Sequence, residues 1–290
     1  MIDRLDHVVI AVRDLDAASQ TYRDALGFEV RPGGRHVGRG THNGIVRFGL
    51  DYLELISVYD AESATHPAPA TLVEYLRQRE GGLVGFALAT ADIEALAERL
   101  RRAQLSAEGP FAMARERPDG RRLSWRLLVP GGVAWRRPWP FFIQWDQPDA
   151  ERLTWEAPGD HPNGAQGVQE VAIAMGELGR AVQLYERQLG LPLLGHEIDS
   201  DLGADRAVFA VGGCRVAVLT PTGPGPVADA LAAGGEGVFR VVLGVDDLDD
   251  ARRWLAARGV GLTGAPGVAD GWLIDPAAAA GARLVLRSTE

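Results

Sequence analysis

Leu5-Asp6-His7-Val8-Val9-Ile10-Ala11-Val12-Arg13-Asp14-Leu15 is the stretch whose reading decides the fold of this chain. The apolar run through Val12 reads as a buried strand. Asp14-Leu15 then opens a segment, residues 15–26, whose apolar positions recur at helical spacing until Gly27 stops it. The pattern returns three times. Residues 168–174 match 5–11 and residues 184–190 match 21–27, both at an offset of 163. Residues 83–89 with a helix over 92–103, and residues 239–245 with a helix over 248–258, are the other two copies. Self-similarity of this kind outranks any residue-by-residue reading of the fold.

Working outward, unit one continues with a short strand at 28–30, a glycine-dense loop at 33–44, and strands at 45–48 and 52–58. A Pro/Ala-rich bridge at 65–70 and a short helix at 71–79 lead to unit two, with further strands near 111–114, 123–129 and 141–145. Residues 147–166, rich in Pro, Gly and acids, read as a linker. The division expected is a first domain at 1–148, a linker at 149–166 and a second domain at 167–290.

Composition bounds the function. With 46% hydrophobic and 24% charged residues the chain reads as soluble and globular, and no apolar run approaches the ~18 residues of a membrane span. A start with no signal-peptide pattern, together with the single Cys214, favours a reducing cytoplasm and excludes an internal disulfide or Cys-cluster metal site. A net charge of −9 argues against nucleic-acid and anionic-membrane partners. The basic residues number 30 and all are Arg, which removes Schiff-base and phosphate-loop lysine chemistry.

The paired strand–helix–strand–strand–strand modules, His7 on a first strand, and Tyr52-Leu53-Glu54-Leu55-Ile56 closing the first module resemble the vicinal oxygen chelate superfamily, the glyoxalase, bleomycin-resistance and extradiol-dioxygenase group. Gly40-Thr41-His42-Asn43 ahead of that strand resembles its glyoxalase-like branch. The resemblance implies an α+β fold of four βαβββ modules forming two cup-shaped mixed-sheet domains. It implies metal ligands on the first and last strands of each module, one divalent ion (Fe, Mn, Ni or Zn) and no organic cofactor, and a lyase, isomerase or dioxygenase chemistry on a small oxygenated substrate. Alternation along strands gives this a physical basis, because one inward position per strand converges on a point. Carried over position by position, the first domain offers His7 and Glu54 as metal ligands, Gly85 where a third is expected, and Gln144 on the last strand if Phe141, Ile143 and Trp145 face the helices. The second domain offers Glu170, Arg215, Arg240 and Val285. Guanidinium cannot ligate, so that cup reads as degenerate, with Glu170 paired to Arg215 and Arg240.

The residues themselves leave two readings open. Glu54 between Leu53 and Leu55 is costly to bury unless it is paired, ligating or catalytic, and a His7–Glu54 hydrogen-bonded pair without metal accounts for it as well as a metal does. His42 is a catalytic candidate beside Glu54, Asn43 a polar wall, and His36 a weaker alternative; Asn43-Gly44 also reads simply as a turn. His66, His161 and His196 read as surface residues. Gly85, Ala87 and Ala89 on one strand face suggest space beneath them. Residues 115–137 carry seven arginines with tryptophans in or beside them; a solvated hairpin is the plain reading, and a clamp with Trp125 and Arg126 on an anionic or aromatic ligand is the functional one. The partner expected is a small molecule, with a homodimer left open. A metal-free binding or drug-sequestering protein stands as the alternative to an enzyme.

Overall fold

A computed structural model describes residues 1–63 and 67–289. The first unit is β1 (Ile2–Val12), α1 (Leu15–Asp24), β2 (Arg31–His36), β3 (Thr41–Arg47) and β4 (Tyr52–Val58). The second is α2 (Pro67–Gln78), β5 (Gly81–Thr90), α3 (Ile93–Arg102), β6 (Ala107–Glu116), β7 (Arg122–Pro130) and β8 (Phe141–Trp145). After α4 (Asp149–Trp155) come β9 (Ala165–Ala174), α5 (Leu178–Val182) running on into wide turns at Gln183–Gln188, β10 (Leu193–Asp199), β11 (Ala204–Val211) and β12 (Cys214–Pro221). The last unit is α6 (Pro226–Gly234), β13 (Gly237–Val245), α7 (Leu248–Ala256), β14 (Leu262–Gly264), β15 (Trp272–Ile274) and β16 (Leu284–Ser288).

The repeated Asp after each strand has a physical role. Asp14 accepts from the Asp16 and Ala17 N–H groups, Asp92 from Ala95 and Asp247 from Asp250, so three of the helices start on a side-chain cap. The third unit has Glu177 instead, with no side-chain cap bond, and there the α-helix is shortest.

The first eight strands close into a barrel in the order β1-β4-β3-β2-β6-β7-β8-β5, and the last eight form a sheet in the corresponding order, β10-β11-β12-β9-β13-β16-β15-β14. Within each, the first strand of a unit runs parallel to its last, β1 with β4, β5 with β8, β9 with β12 and β13 with β16. The architecture is α+β, two cups from four βαβββ modules.

Alternation sorts the side chains into two cores. Val8, Ile10, Leu53, Leu55 and Phe86, all fully buried, face the helices and the other cup in one core that spans both halves. Each such side chain contributes about 1.5–3 kcal/mol. Tyr22 donates to Ala279 O (3.0 Å) and Tyr185 to Pro138 O (2.5 Å), pinning the halves together across that core. Val9, Ala11, Ile56, Ala87, Leu123 and Trp125 face the inside of the first cup.

Several expectations are corrected here. Residues 28–30 are not a strand, and the expected loop at 33–44 is largely the hairpin β2–β3. Glycines that read as a loop instead make room on a strand: a Cβ on Gly33 would collide with Asn43 Oδ1 and come within 2.5 Å of Arg115 Nη1. Residues 149–166, expected as the linker, carry α4, which buries Arg152 and is followed by buried Glu156, His161 and Asn163. His161 is therefore no surface residue; it accepts from the Glu29 N–H at 3.0 Å. His196 is half exposed, and His66 lies outside the described residues. Among the described residues no helix is long and apolar enough to cross a membrane.

Candidate functional site in the first cup

The floor of the first cup is a buried polar cluster built on adjacent strands. The β1–β5 register shifts between Leu5 and His7, and at this irregularity His7 Nδ1 meets Asp6 Oδ1 at 2.7 Å. Asp6 is fully buried; burial works against its charge, but the bond from His7 and the positive Arg152 and Arg4 outweigh it and hold the carboxyl well below the ordinary carboxylate range. Trp145 Nε1 and Arg4 Nη1 both donate to its Oδ2 at 3.0 Å. An ionised carboxylate only accepts, so His7 carries its proton on Nδ1 and turns Nε2 into the cup.

There Nε2 faces Glu54 Oε2 at 3.6 Å, and from the other side His36 Nε2 approaches Glu54 Oε1 at 3.7 Å. Asn43 Nδ2 donates to Glu54 Oε1 at 2.5 Å. Burial, chiefly, with opposition from Glu54 and reinforcement from Arg115, lowers His36 to about 4, so it is neutral at pH 7, with Nδ1 on Thr41 Oγ1 at 2.9 Å.

A chain of charges backs this cluster. Arg115, 2% exposed, donates from Nη1 to Asn43 Oδ1 (3.2 Å) and from Nη2 to Glu156 Oε1 (2.5 Å). Arg47 and Arg117 donate to the same Glu156 at 2.8 Å each. Burial raises the Glu156 carboxyl, but Arg115, Arg47 and Arg117 together bring it below its ordinary value. The residue after α4 thus holds Arg115, which holds Asn43, which holds Glu54.

Above the floor lies a cavity of about 100 Å³ walled by Trp125, Trp135, Trp145, Phe141, Leu127 and Ile143. That is on the scale of one small ring, since an apolar cavity of ~150 Å³ holds benzene. One donor at its wall lacks a strong acceptor among the described residues: Arg39 bonds only Met113 Sδ, at 3.1 Å.

Of the residues picked out in the sequence, His7, Glu54, Asn43, Trp125 and the weaker candidate His36 meet at this cavity. Four others do not do what was expected. On β8 it is Phe141, Ile143 and Trp145 that face the cavity, so Gln144 faces outward: it accepts from the Ile93 N–H (2.9 Å) and donates to Ala91 O (2.7 Å) at the start of α3. Arg126, its neighbour across the pair, is on the outer face too, bonded to Gln144 and Glu94. His42 alternates away from inward Thr41 and Asn43 and packs against Tyr59. Gly85 does not open space; the chain between β7 and β8 fills it, and a Cβ there would lie 2.9 Å from Ala134 O and 3.2 Å from the Trp135 ring. Asp6, Arg115 and Glu156 went unrecognised. Asp6 was a charged residue in an apolar strand, a signal of the same kind as Glu54; nothing local marked Glu156.

The donors present do not complete the metal site that the resemblance implies. Glu54, His7 and His36 stand on one side, but the opposing strands contribute Gly85 on β5 and apolar side chains on β8, Glu54 Oε1 is engaged by an amide, His36 holds Thr41 through Nδ1, and Arg115 stands behind them. Among the described residues no three of His, Cys, Asp and Glu are placed to hold an ion. In the second cup Glu170 bonds Arg206 (2.5 Å) rather than chiefly Arg215, whose Nε is 4.0 Å away, while Arg240 donates to the Pro266 and Gly267 carbonyls.

The family described as a glyoxalase-like domain matches residues 5–189, and the glyoxalase/bleomycin resistance protein/dioxygenase superfamily matches residues 169–274. No curated protein matches in sequence. A hypothetical protein from Staphylococcus aureus superposes with a TM-score of 0.69 at 16% identity, over 98% of each chain. A triple mutant of 4-hydroxymandelate synthase from Streptomyces coelicolor gives 0.66 at 16%, over 99% of this chain and 93% of that one. Methylmalonyl-CoA epimerase from Mycobacterium tuberculosis is 30% identical over 42% of this chain and 87% of its own, with a TM-score of 0.40. The two full-length likenesses are likenesses of fold.

Proposed function

The chain belongs to the glyoxalase-like domain family of the vicinal oxygen chelate superfamily, and on that premise we propose that its first cup is the active site of an enzyme moving a proton on a small oxygenated substrate, of the isomerase or lyase type. The observation that carries this reading is Glu54: a carboxylate 5% exposed, at the floor of an aromatic cavity, between two imidazoles that each face it from Nε2. A buried acid costs several kcal/mol unless it is compensated, and such groups cluster where proton transfer is done.

Glu54 takes the proton from a carbon or hydroxyl beside the substrate carbonyl. His7, fixed on Asp6 through Nδ1, presents its Nε2 lone pair beside Glu54 as an alternative seat for that proton. Charge that develops on the substrate oxygen meets the Arg39 guanidinium, and the tryptophan walls hold the apolar body. The proton then returns to the neighbouring atom, which is isomerisation, or leaves with a departing group. The aromatic lining equally favours the second reading, a protein that binds a planar compound without turning it over.

The test is hydrogen–deuterium exchange by NMR in D2O, with a panel of small α-oxygenated carbonyl and enol compounds, with and without EDTA. Exchange that persists in EDTA and falls by about 10²–10⁴-fold in Glu54→Gln is the expected result. Exchange abolished by EDTA and restored by one divalent ion would put a metal at the site and overturn this mechanism. Saturable binding with no exchange on any compound would leave the sequestering reading.

A further inference from the structure

The concave face of the second sheet carries a charge pattern that the first cup lacks. Five strands each contribute one charged residue to it: Arg206 on β11, Arg215 on β12, Glu170 on β9, Arg240 on β13 and Arg287 on β16. The register fixes this. Arg215 lies beside Glu170, Glu170 beside Val242, Val242 beside Val285, and Arg240, Arg287 and Arg206 are each an even number of residues from a member of that row. Four guanidiniums therefore surround one buried carboxylate.

The acids nearby do not balance them. Glu170 is taken by Arg206 at 2.5 Å, and Arg206 also holds exposed Glu197 at 2.6 Å. Arg215 Nε is 4.0 Å from Glu170 and its side chain is 38% exposed. Arg287 has no carboxylate partner among the described residues and donates to the Gln169 amide at 2.6 Å. Arg240, 3% exposed, hydrogen-bonds only backbone carbonyls; burial lowers it from its ordinary value, with Glu170 and then Asp199 opposing without touching it. The buried Nε–H groups of Arg206, Arg240 and Arg287 have no acceptor among the described residues. Burial first, then the proximity of Arg215, lowers Arg287 from its ordinary value. Like charges on a rigid sheet repel, and buried donors without acceptors cost free energy.

We infer that this face is an anion site: the second cup holds a small carboxylate- or phosphate-bearing molecule between Arg215 and Arg287 at its rim, with Arg206 and Arg240 beneath. Guanidiniums present paired N–H donors to planar or tetrahedral oxyanions, which is the chemistry the face lacks an acceptor for. Of the four positions where the resemblance implies metal ligands, two carry arginine here, Arg215 and Arg240, so the second cup is re-charged rather than merely degenerate. The inference is independent of the chemistry in the first cup.

The experiment titrates the protein with inorganic phosphate and, separately, citrate, against sodium chloride at matched ionic strength, reading arginine Nε–Hε resonances by NMR. Saturable shifts of the Arg215 and Arg287 signals by phosphate or citrate but not chloride are expected, with affinity at least tenfold weaker in Arg215→Gln and in Arg287→Gln, two partly exposed rim residues, and unchanged in Glu54→Gln. Which probe binds tighter separates phosphate from carboxylate ligands. If chloride does as well at equal ionic strength, or if both variants bind as the native protein does, the inference is wrong.

Discussion

The two cups share one strand order and one set of parallel pairs, and they differ in what faces inward. In the first, His7, Glu54, Asn43 and the tryptophans line a small space inside a closed barrel; in the second, arginines surround a single glutamate on a sheet that stays open, because β14 and β15 are three residues each and β10 is an exposed edge. The lesson is that a cup's scaffold is set by outward residues packed on helices, which leaves the inward positions free to diverge. Val8 and Ile10 in β1 match Val171 and Ile173 in β9, all fully buried, while His7 became Glu170.

The contrast is broken most strongly at the carboxylates. Glu156→Ala would leave Arg47, Arg115 and Arg117 without their shared acceptor, and the expected loss is about 3–5 kcal/mol of unfolding free energy in urea at neutral pH, since removing one partner strands buried charge. Glu170→Ala should cost less, about 1–3 kcal/mol, because Arg206 keeps Glu197. Equal losses would mean that the two networks are not different in kind.

Acid sharpens the comparison next. His36 titrates near 6.5 unfolded and at about 4 folded, so between those values the unfolded chain binds a proton that the folded chain refuses. Stability therefore falls as pH drops from 6.5 to 4, by about 3 kcal/mol at ~1.4 kcal/mol per pH unit. His161, also lowered, chiefly by burial, adds in the same direction. Denaturant midpoints of native protein and His36→Gln across that range should converge in slope if His36 is not responsible.

Two smaller effects test where the first cup's walls lie. Gly85→Ala should cost about 1–3 kcal/mol and displace the chain around Ala134 and Trp135, read by thermal unfolding and by tryptophan fluorescence. A neutral result would restore the open space expected there. Arg126→Ala, on the outer face, should change stability by less than about 1 kcal/mol and leave ligand binding to the first cup untouched. A large loss of binding would return Arg126 to the site.

The repeat and its period were legible in the chain because a strand followed by an Asp-capped helix leaves a local mark: apolar alternation, then Asp14, Asp92 or Asp247, then a 3.6-residue stripe. His7 and Glu54 were legible because a charged residue in an apolar strand must be compensated. Inward or outward orientation on β8 was not, since Phe141-Phe142-Ile143 is apolar on both faces and alternation there has no contrast to read; the wrong face was chosen, and Gln144 with it. Gly33 and Gly34 read as a loop, because a sequence does not say whether a missing side chain marks a turn or a neighbour passing close above.

By itself, then, the sequence determined four strand–helix modules, through periodicity within each module and the repeat between them, while the two cups and the pairing of His7 with Glu54 were what its resemblance to a family implied. Only the tertiary structure decided that Asp6 fixes the His7 proton, that Glu156 from beyond the first cup braces Asn43 through Arg115, that Trp135 covers Gly85, and that four arginines from four strands share one concave face. All but the first join residues far apart in the chain, and the first depends on a register shift between β1 and β5; such contacts are set by sheet register and packing, which leave no local pattern to read.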